Sequence, residues 1–199
     1  MISEHIPRVI IIGGGAAGFF GAIACAENVK GKADINILES GSHFLTKVKI
    51  SGGGRCNVTH EMEDKINFVG HYPRGKRELK GPLSRWSQED TVWWFKENGV
   101  ELKTESDGRV FPVSDTSQTV INCLTDTAEE KKIRFNNKCR VNRIVKSDDD
   151  LFRIWINKQK DPIAVDYLLI ATGGIRSASS RNLLESIGHE FSSPVPSLF

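Results

Sequence analysis

Two glycine-bearing stretches hold the residue types and spacings best suited to chemistry. In the first, Gly13, Gly15 and Gly18 follow the apolar run Val9-Ile10-Ile11-Ile12 with G-x-G-x-x-G spacing, and Ala16 and Ala17 complete the turn. In a strand–turn–helix unit of this kind the first glycine permits the sharp turn. The second lets backbone approach a pyrophosphate, and the third lets helix pack close to strand. A diphosphate would then lie on the free N–H groups that begin a helix predicted from Ala16 to about Glu27. Glycine turns also join strands and helices that bind nothing, so the context matters. A second strand, Asp34 to Leu38, ends at Glu39, twenty-one residues beyond Gly18, where an acid can take the hydroxyls of an adenosine ribose. A carboxylate there would repel a 2′-phosphate, which favours FAD or NAD over NADP.

The second stretch is Lys47-Val48-Lys49-Ile50-Ser51-Gly52-Gly53-Gly54-Arg55-Cys56-Asn57-Val58-Thr59. Three consecutive glycines suit neither helix nor strand, and the segment reads as a loop whose backbone comes close to something. Backbone N–H groups, the Ser51 and Thr59 hydroxyls and the Arg55 guanidinium could together form an anion-binding concavity. A flexible linker is the alternative. Cys56, beside Arg55, is the one tempting nucleophile, but it lacks a C-x-x-C partner and is read as a positional residue. His60 and His71 read as surface histidines. No paired carboxylates, Ser-His-Asp arrangement or metal-ligand spacing competes for a catalytic role, and no catalytic residue is assigned.

The elements that must position these stretches alternate in α/β fashion. Ser87 with Asp90 forms a capping box that opens a helix through Trp93, Trp94 and Phe95, and Asn98-Gly99 stops it. The aromatic cluster reads as core. Val100 to Lys103 and Arg109 to Pro112 form a hairpin around Ser106-Asp107-Gly108. Ser117 to Lys131 has helical apolar spacing, and Ile133 to Phe135 is expected as a third parallel strand. Cys139 to Val145, Phe152 to Ile156 and Ile163 to Val165 form a three-stranded antiparallel meander. After it, Tyr167-Leu168-Leu169-Ile170-Ala171-Thr172-Gly173-Gly174 is an apolar strand that returns to the parallel sheet and turns near Gly13. A helix over about Ser180 to Ile187 and extended residues 193 to 196 follow.

Composition sets the outer limits. The chain has 199 residues, 39% of them hydrophobic, enough for a real core. Its 27 basic and 25 acidic residues leave a net charge of +2, which argues for neither nucleic acid nor an anionic membrane. Residues 60 to 86 are locally basic, with Arg74, Lys76, Arg77, Lys80 and Arg85 among Tyr72 and Trp86, and read as a solvated, loosely helical segment rather than a nucleic-acid patch. Cys25, Cys56, Cys123 and Cys139 show no pairing pattern and read as reduced thiols of a cytoplasmic protein. No run of eighteen apolar residues occurs, and the glycines at 13 to 18 would interrupt a signal peptide.

Taken together, the Gly13 turn with Glu39, the Ser-Gly-Gly-Gly-Arg-Cys-Asn block at 51 to 57, the Gly108-Arg109-Val110-Phe111-Pro112-Val113-Ser114 block and Ala171-Thr172-Gly173-Gly174 resemble the HI0933-like flavoproteins (the YhiN, BaiN/RdsA and aminoacetone oxidase-like family). The 51 to 57 block is the most specific of these. The resemblance runs from about Pro7 to the end. It implies a Rossmann-like, two-dinucleotide-binding FAD domain over 1–199, with a core over 1–174. The diphosphate would lie on the first helix, Glu39 at the adenosine ribose, and Ser51 to Thr59 along the ribityl and flavin. By the same analogy Val141 would offer backbone to adenine, Thr172, Gly173 and Gly174 would pass near the cofactor, and Ser40 and Lys47 would join the cofactor-binding set. The implied activity is hydride transfer between FAD and a small-molecule substrate, with NAD(P)H a possible donor. The alternative is a non-catalytic dinucleotide-binding or interaction module. A weaker third reading is an RNA-associated flavoprotein using the basic stretch. Two departures accompany the resemblance: Ile175 to Ser180 lacks the family's glycine-rich continuation, and family chains run on for about as many residues again, so this chain is expected to correspond to their N-terminal portion.

Overall fold

An unbroken apolar run becomes a strand buried on both faces when layers cover it from either side. The computed structural model, which describes residues 5–61, 68–72, 75–174 and 178–191, builds this around β1 (Arg8–Ile12). The chain continues through α1 (Ala16–Val29), β2 (Asp34–Leu38), α2 (Thr46–Ile50), a 3₁₀ turn (Ser51–Gly54) and β3 (Thr59–His60). After a second 3₁₀ turn (Phe68–His71) come α3 (Lys76–Arg85), α4 (Gln88–Glu97), β4 (Leu102–Thr104), β5 (Arg109–Pro112) and α5 (Ser117–Glu130). The remainder is β6 (Arg134–Asn136), β7 (Val141–Lys146), β8 (Phe152–Ile156), β9 (Ile163–Val165), β10 (Tyr167–Ile170) and α6 (Ala178–Glu185). The described residues before Lys47 and after Cys123 form one compact unit, and Lys47–Cys123 forms another, with α5 running across the boundary.

In the first unit a parallel sheet has the order β10-β1-β2-β6. Ile12 is level with Leu38 on one side and with Ile170 on the other, so the turns after β1, β2 and β10 all leave from the same edge. On one face of the sheet Ile10, Ile12 and Leu38 pack with Val141, Ile144, Ile154, Ile156 and Val165 of the meander and Leu183 of α6. Ile11, on the opposite face, lies beside Gly18 of α1. Burial of each such side chain contributes about 1.5 to 3 kcal/mol. Phe19, Phe44 and Phe135 form an aromatic cluster with centroids 5.3 to 5.8 Å apart, joining α1, the segment after β2, and β6. The meander is antiparallel in the order β7-β8-β9, as expected from the alternation in the sequence. The third parallel strand is β6, one residue later than the predicted 133 to 135.

The second unit holds a small antiparallel sheet, β3-β5-β4, with α3 and α4. Ser87 and Asp90 make the predicted reciprocal capping box at the start of α4. Trp94 and Phe95 are buried and meet edge to face at 5.1 Å, but Trp93 is 58% exposed, so only two of the three aromatics belong to the core. The first hairpin strand begins at Leu102 rather than Val100, because the Val100 N–H is used to close α4 on the Phe95 carbonyl at 2.9 Å. Of the basic segment, 76 to 85 is helical, with Lys76, Arg77, Lys80 and Arg85 exposed; Arg74 lies outside the described residues. Helix α6 starts two residues before the predicted Ser180 and is closed at Gly188, whose N–H reaches the Glu185 carbonyl. The predicted extended segment 193 to 196 lies outside the described residues.

Candidate dinucleotide-binding site

The first glycine turn shows which of its glycines the fold needs. A Cβ at Gly13 would stand 2.3 Å from the Ala171 carbonyl oxygen, and one at Gly18 would stand 1.9 Å from the Gly13 oxygen. One at Gly14 would strike the Phe44 ring at 2.5 Å. Gly15 differs: nothing lies within 4 Å of the position, and its φ of −90° is open to any residue. No packing or torsional requirement keeps a side chain out of Gly15. Gly15 is also the N-cap of α1, which has no side-chain cap and no acidic residue in its first turn, while Ala16 and Ala17 are exposed. The first N–H groups of α1 and the positive end of its dipole are thus left without a side-chain partner beside a position clear of side chains, a suitable place for an anion.

Glu39 is tied into this turn. Its Oε2 accepts the Gly14 N–H at 2.8 Å, and its Oε1 accepts the Gly41 N–H at 2.6 Å and the Ser40 hydroxyl at 3.3 Å. A carboxylate can accept about four hydrogen bonds, so capacity for an incoming hydroxyl remains. The bond to Gly14, which links the acid at the end of β2 to the glycine turn after β1, has no signature in the sequence. At the same sheet edge Ala171 follows β10, Thr172 is half-buried, and Gly173, at φ +77°, and Gly174 are exposed. Val141 is buried between sheet and meander, so its side chain is committed to the core and only its backbone could meet a ligand. Cys139 N–H, two residues earlier, bonds the Glu39 carbonyl at 2.8 Å.

The 51 to 59 segment, in the second unit, is more ordered than a loop. Thr46–Ile50 forms the unpredicted helix α2, Ser51–Gly54 a 3₁₀ turn with left-handed Gly52 and Gly53, and Thr59 pairs with Val110 in β3. Much of its polarity turns inward. The Cys56 N–H bonds the Ser51 carbonyl at 3.0 Å and the Ser51 hydroxyl bonds the Val48 carbonyl at 2.9 Å. Asn57, in the amide orientation that satisfies its neighbours, donates to Thr59 at 2.8 Å and Val110 at 3.2 Å. Arg55 lies 3.9 Å over the Phe111 ring and donates to Glu105, with Asp115 at 3.5 Å; the Glu105 hydrogen bond raises its pKa further. Its guanidinium is therefore engaged by carboxylates. Burial pushes the Cys56 thiol up, opposed in part by the Ser51 hydroxyl, and a thiol held protonated is a poor nucleophile. Lys47 is exposed on α2. His71 is exposed and His60 half-buried.

Among the described residues, no group of three His, Cys, Asp or Glu could hold a metal ion, and no helix is long and apolar enough to cross a membrane.

A parallel sheet with a glycine turn after its central strand, an acid closing the next strand and a third turn at the same edge defines the Rossmann class of dinucleotide-binding folds. Within that class the chain belongs to the HI0933-like family, whose Rossmann-domain model matches residues 7–191. It is similar to the 3-dehydro-bile acid delta(4,6)-reductase of Clostridium scindens, 32% identical over 197 residues, covering 96% of this chain and 46% of that protein. It is also similar to the ribosomal RNA dihydrouridine synthase of Escherichia coli, 29% identical, covering 83% of this chain and 39% of that protein. The chain thus spans less than half the length of these curated relatives. Among solved structures it resembles THI4 of Thermovibrio ammonificans (TM-score 0.59, 17% identity, 92% of this chain and 62% of that one). A flavocytochrome c3 fumarate reductase matches as closely in shape (TM-score 0.59, 24% identity, 84% and 34%). These likenesses show the fold.

Proposed function

We propose that this chain is the FAD-binding part of a flavin-dependent oxidoreductase that moves hydride between FAD and a nicotinamide or small organic substrate. Gly15 carries the reading: neither packing nor torsion requires a glycine there, and it stands at an uncapped helix N-terminus, where clearance for a diphosphate accounts for it. The N–H groups at Gly15, Ala16, Ala17 and Gly18 would hold the diphosphate. Glu39 and Ser40 would take ribose hydroxyls. By family resemblance Lys47, the Ser51 to Thr59 segment, Val141 and the Thr172–Gly174 turn would complete the contacts. FAD, when bound, supplies reversible two-electron chemistry. The chain's own residues bind and orient, and none is assigned to the reacting atoms. The two curated relatives are named as a reductase and a dihydrouridine synthase, which supports a reduction. Placement in the cytoplasm is part of the same reading, supported by four unpaired cysteines.

The test is the colour of the purified chain. A yellow protein with one FAD that NADH or NADPH bleaches supports the oxidoreductase with a nicotinamide donor. A yellow protein bleached by neither supports the non-catalytic binding module. Failure to bind FAD at micromolar concentration in a folded sample would refute the site.

A further inference from the structure

The segment from Gly52 to Cys56 holds an unusual backbone. Gly52, Gly53, Gly54 and Cys56 all have positive φ, at +55°, +69°, +90° and +64°. Glycine adopts positive φ as readily as negative, so the three glycines are free to take many other torsions and only Cys56 is strained; a single conformation of the run is held where the surroundings select it. The two internal bonds, Cys56 N–H to the Ser51 carbonyl and Arg55 N–H to the Gly52 carbonyl at 3.4 Å, are local and close only one turn. Just beyond the segment the Val58 N–H and the Asn57 amide reach the Val110 carbonyl, at 2.8 and 3.2 Å; within it the long-range hydrogen bond and ring contact both come from the Arg55 side chain. Its guanidinium stacks on Phe111, a fully buried residue of β5, and donates to Glu105, fifty residues away in sequence. Glu105 is itself held by the hairpin: its N–H bonds the Arg109 carbonyl and its carbonyl accepts the Gly108 N–H, both at 2.9 Å. The Phe111 ring also closes the space at Gly52, where a Cβ would meet it at 2.8 Å.

The charges around Arg55 do not suit an anion site. Arg55, Arg109 and Lys103 are matched by Glu105, Asp107 and Asp115 in one continuous ion-pair network. A diphosphate approaching it would meet no excess positive charge, and Arg55 would have to leave two carboxylates to greet it. Meanwhile Gly53 and Gly54 have nothing within 4 Å of a built Cβ, so the backbone they present is open.

We propose that Arg55 is a positioning residue: the Glu105–Arg55–Phe111 clamp holds the triple-glycine segment in its left-handed form before any ligand arrives, so that the open backbone of Gly53 and Gly54 is preformed for the cofactor. The ligand side of this inference rests on the FAD reading above, and the clamp itself does not.

The test separates the two. Amide hydrogen exchange of Arg55 and Cys56 is measured in the flavin-free 199-residue chain, for the parent and for Glu105→Gln, Arg55→Lys and Arg55→Met, followed by FAD titration of each. Thermal melts establish that each variant is folded. A clamp predicts that all three variants speed exchange of these two amides about tenfold, since lysine keeps the charge but not the planar stacked fork, and that FAD affinity falls in proportion, including for Glu105→Gln. If exchange is unchanged in Glu105→Gln and Arg55→Met, the clamp is overturned. If Arg55→Met weakens FAD while Glu105→Gln leaves it unchanged or tightens it, Arg55 is an anion ligand and the proposal fails. Faster exchange in the three variants than in the parent, with a parent chain that binds no FAD, would uphold the clamp and refute the FAD reading alone. Should Arg55→Met not fold, Glu105→Gln with Arg55→Lys decides the matter.

Discussion

At Gly13 and Gly18 the missing side chain makes room for neighbouring backbone, whereas at Gly53 and Gly54 room is plentiful and the backbone torsion is what disfavours other residues. Packing maintains the first glycine segment and remote side chains maintain the second. In the first, only Gly15 is free of structural duty. In the second, the side chain that looks most like a ligand, Arg55, is occupied with structure. A glycine motif therefore reports function at the positions its own fold leaves unexplained, and these differ between the two segments.

Substitutions can break this comparison. The largest effect is expected for Gly18→Val, which drives a side chain into the Gly13 carbonyl and should cost about 3 kcal/mol or more, read from urea denaturation. A stable, folded Gly18→Val chain would contradict the packing role. Gly15→Val should cost the fold no more than about 1 kcal/mol, the loss of a residue preferred at a helix N-cap, yet lower FAD affinity at least about a hundredfold, because the side chain would enter the space proposed for the diphosphate. Retained flavin would remove that assignment. Glu39→Ala should weaken FAD by roughly 1 to 3 kcal/mol in a titration and destabilise the fold as well, since the Gly14 and Gly41 N–H groups lose their acceptor. Equal affinity would take Glu39 off the ribose.

The smaller effects sharpen the comparison in the second segment. Gly53→Ala meets no atom, so its cost should be torsional only, about 1 kcal/mol in denaturation. A cost several times larger would mean that space, not torsion, governs this segment too. Acid gives the smallest effect. Asp115 has its pKa lowered, first by the Lys103 hydrogen bond and then by Coulombic attraction to Lys103 and Arg55. A folded-state pKa below the unfolded one contributes stability that is present above the ordinary carboxylate range and is lost as pH falls through the folded value. Exchange of the Arg55 and Cys56 amides, corrected for intrinsic pH dependence, should therefore rise about twofold to threefold between pH 6 and pH 3. The rise should be smaller in Asp115→Asn.

Much of the fold was legible because its signals are local. The run Val9 to Ile12, the strand Asp34 to Leu38 and the alternation through the meander each fix an element within a few residues. The Ser87–Asp90 box fixes a helix start. What the sequence concealed has non-local causes or too little signal. Helix α2 buries only Val48, so it shows no apolar period. Strand β3 is two residues long and exists through its pairing with β5. Trp93, Trp94 and Phe95 are alike in type, and only the orientation of α4 decides which one faces water. At the site, the glycine spacing and Glu39 could be read directly, but the Glu39–Gly14 bond and the Arg55–Glu105 pair could not, being set by partners 25 and 50 positions apart.

The sheet order has a consequence for how the chain is made. β1 stands between β2, its near neighbour in sequence, and β10, which pairs Val9 with Tyr167. At a ribosomal rate of ~5–20 residues per second, the second flank of β1 waits roughly ten to thirty seconds for its partner to be synthesised. Throughout that interval one edge of the strand Val9 to Ile12 lacks its native neighbour and can recruit another extended segment. The Lys47–Cys123 unit emerges within the same interval. The candidate dinucleotide-binding edge, formed by the turns after β1, β2 and β10, is thus completed only after the whole Lys47–Cys123 unit has been synthesised.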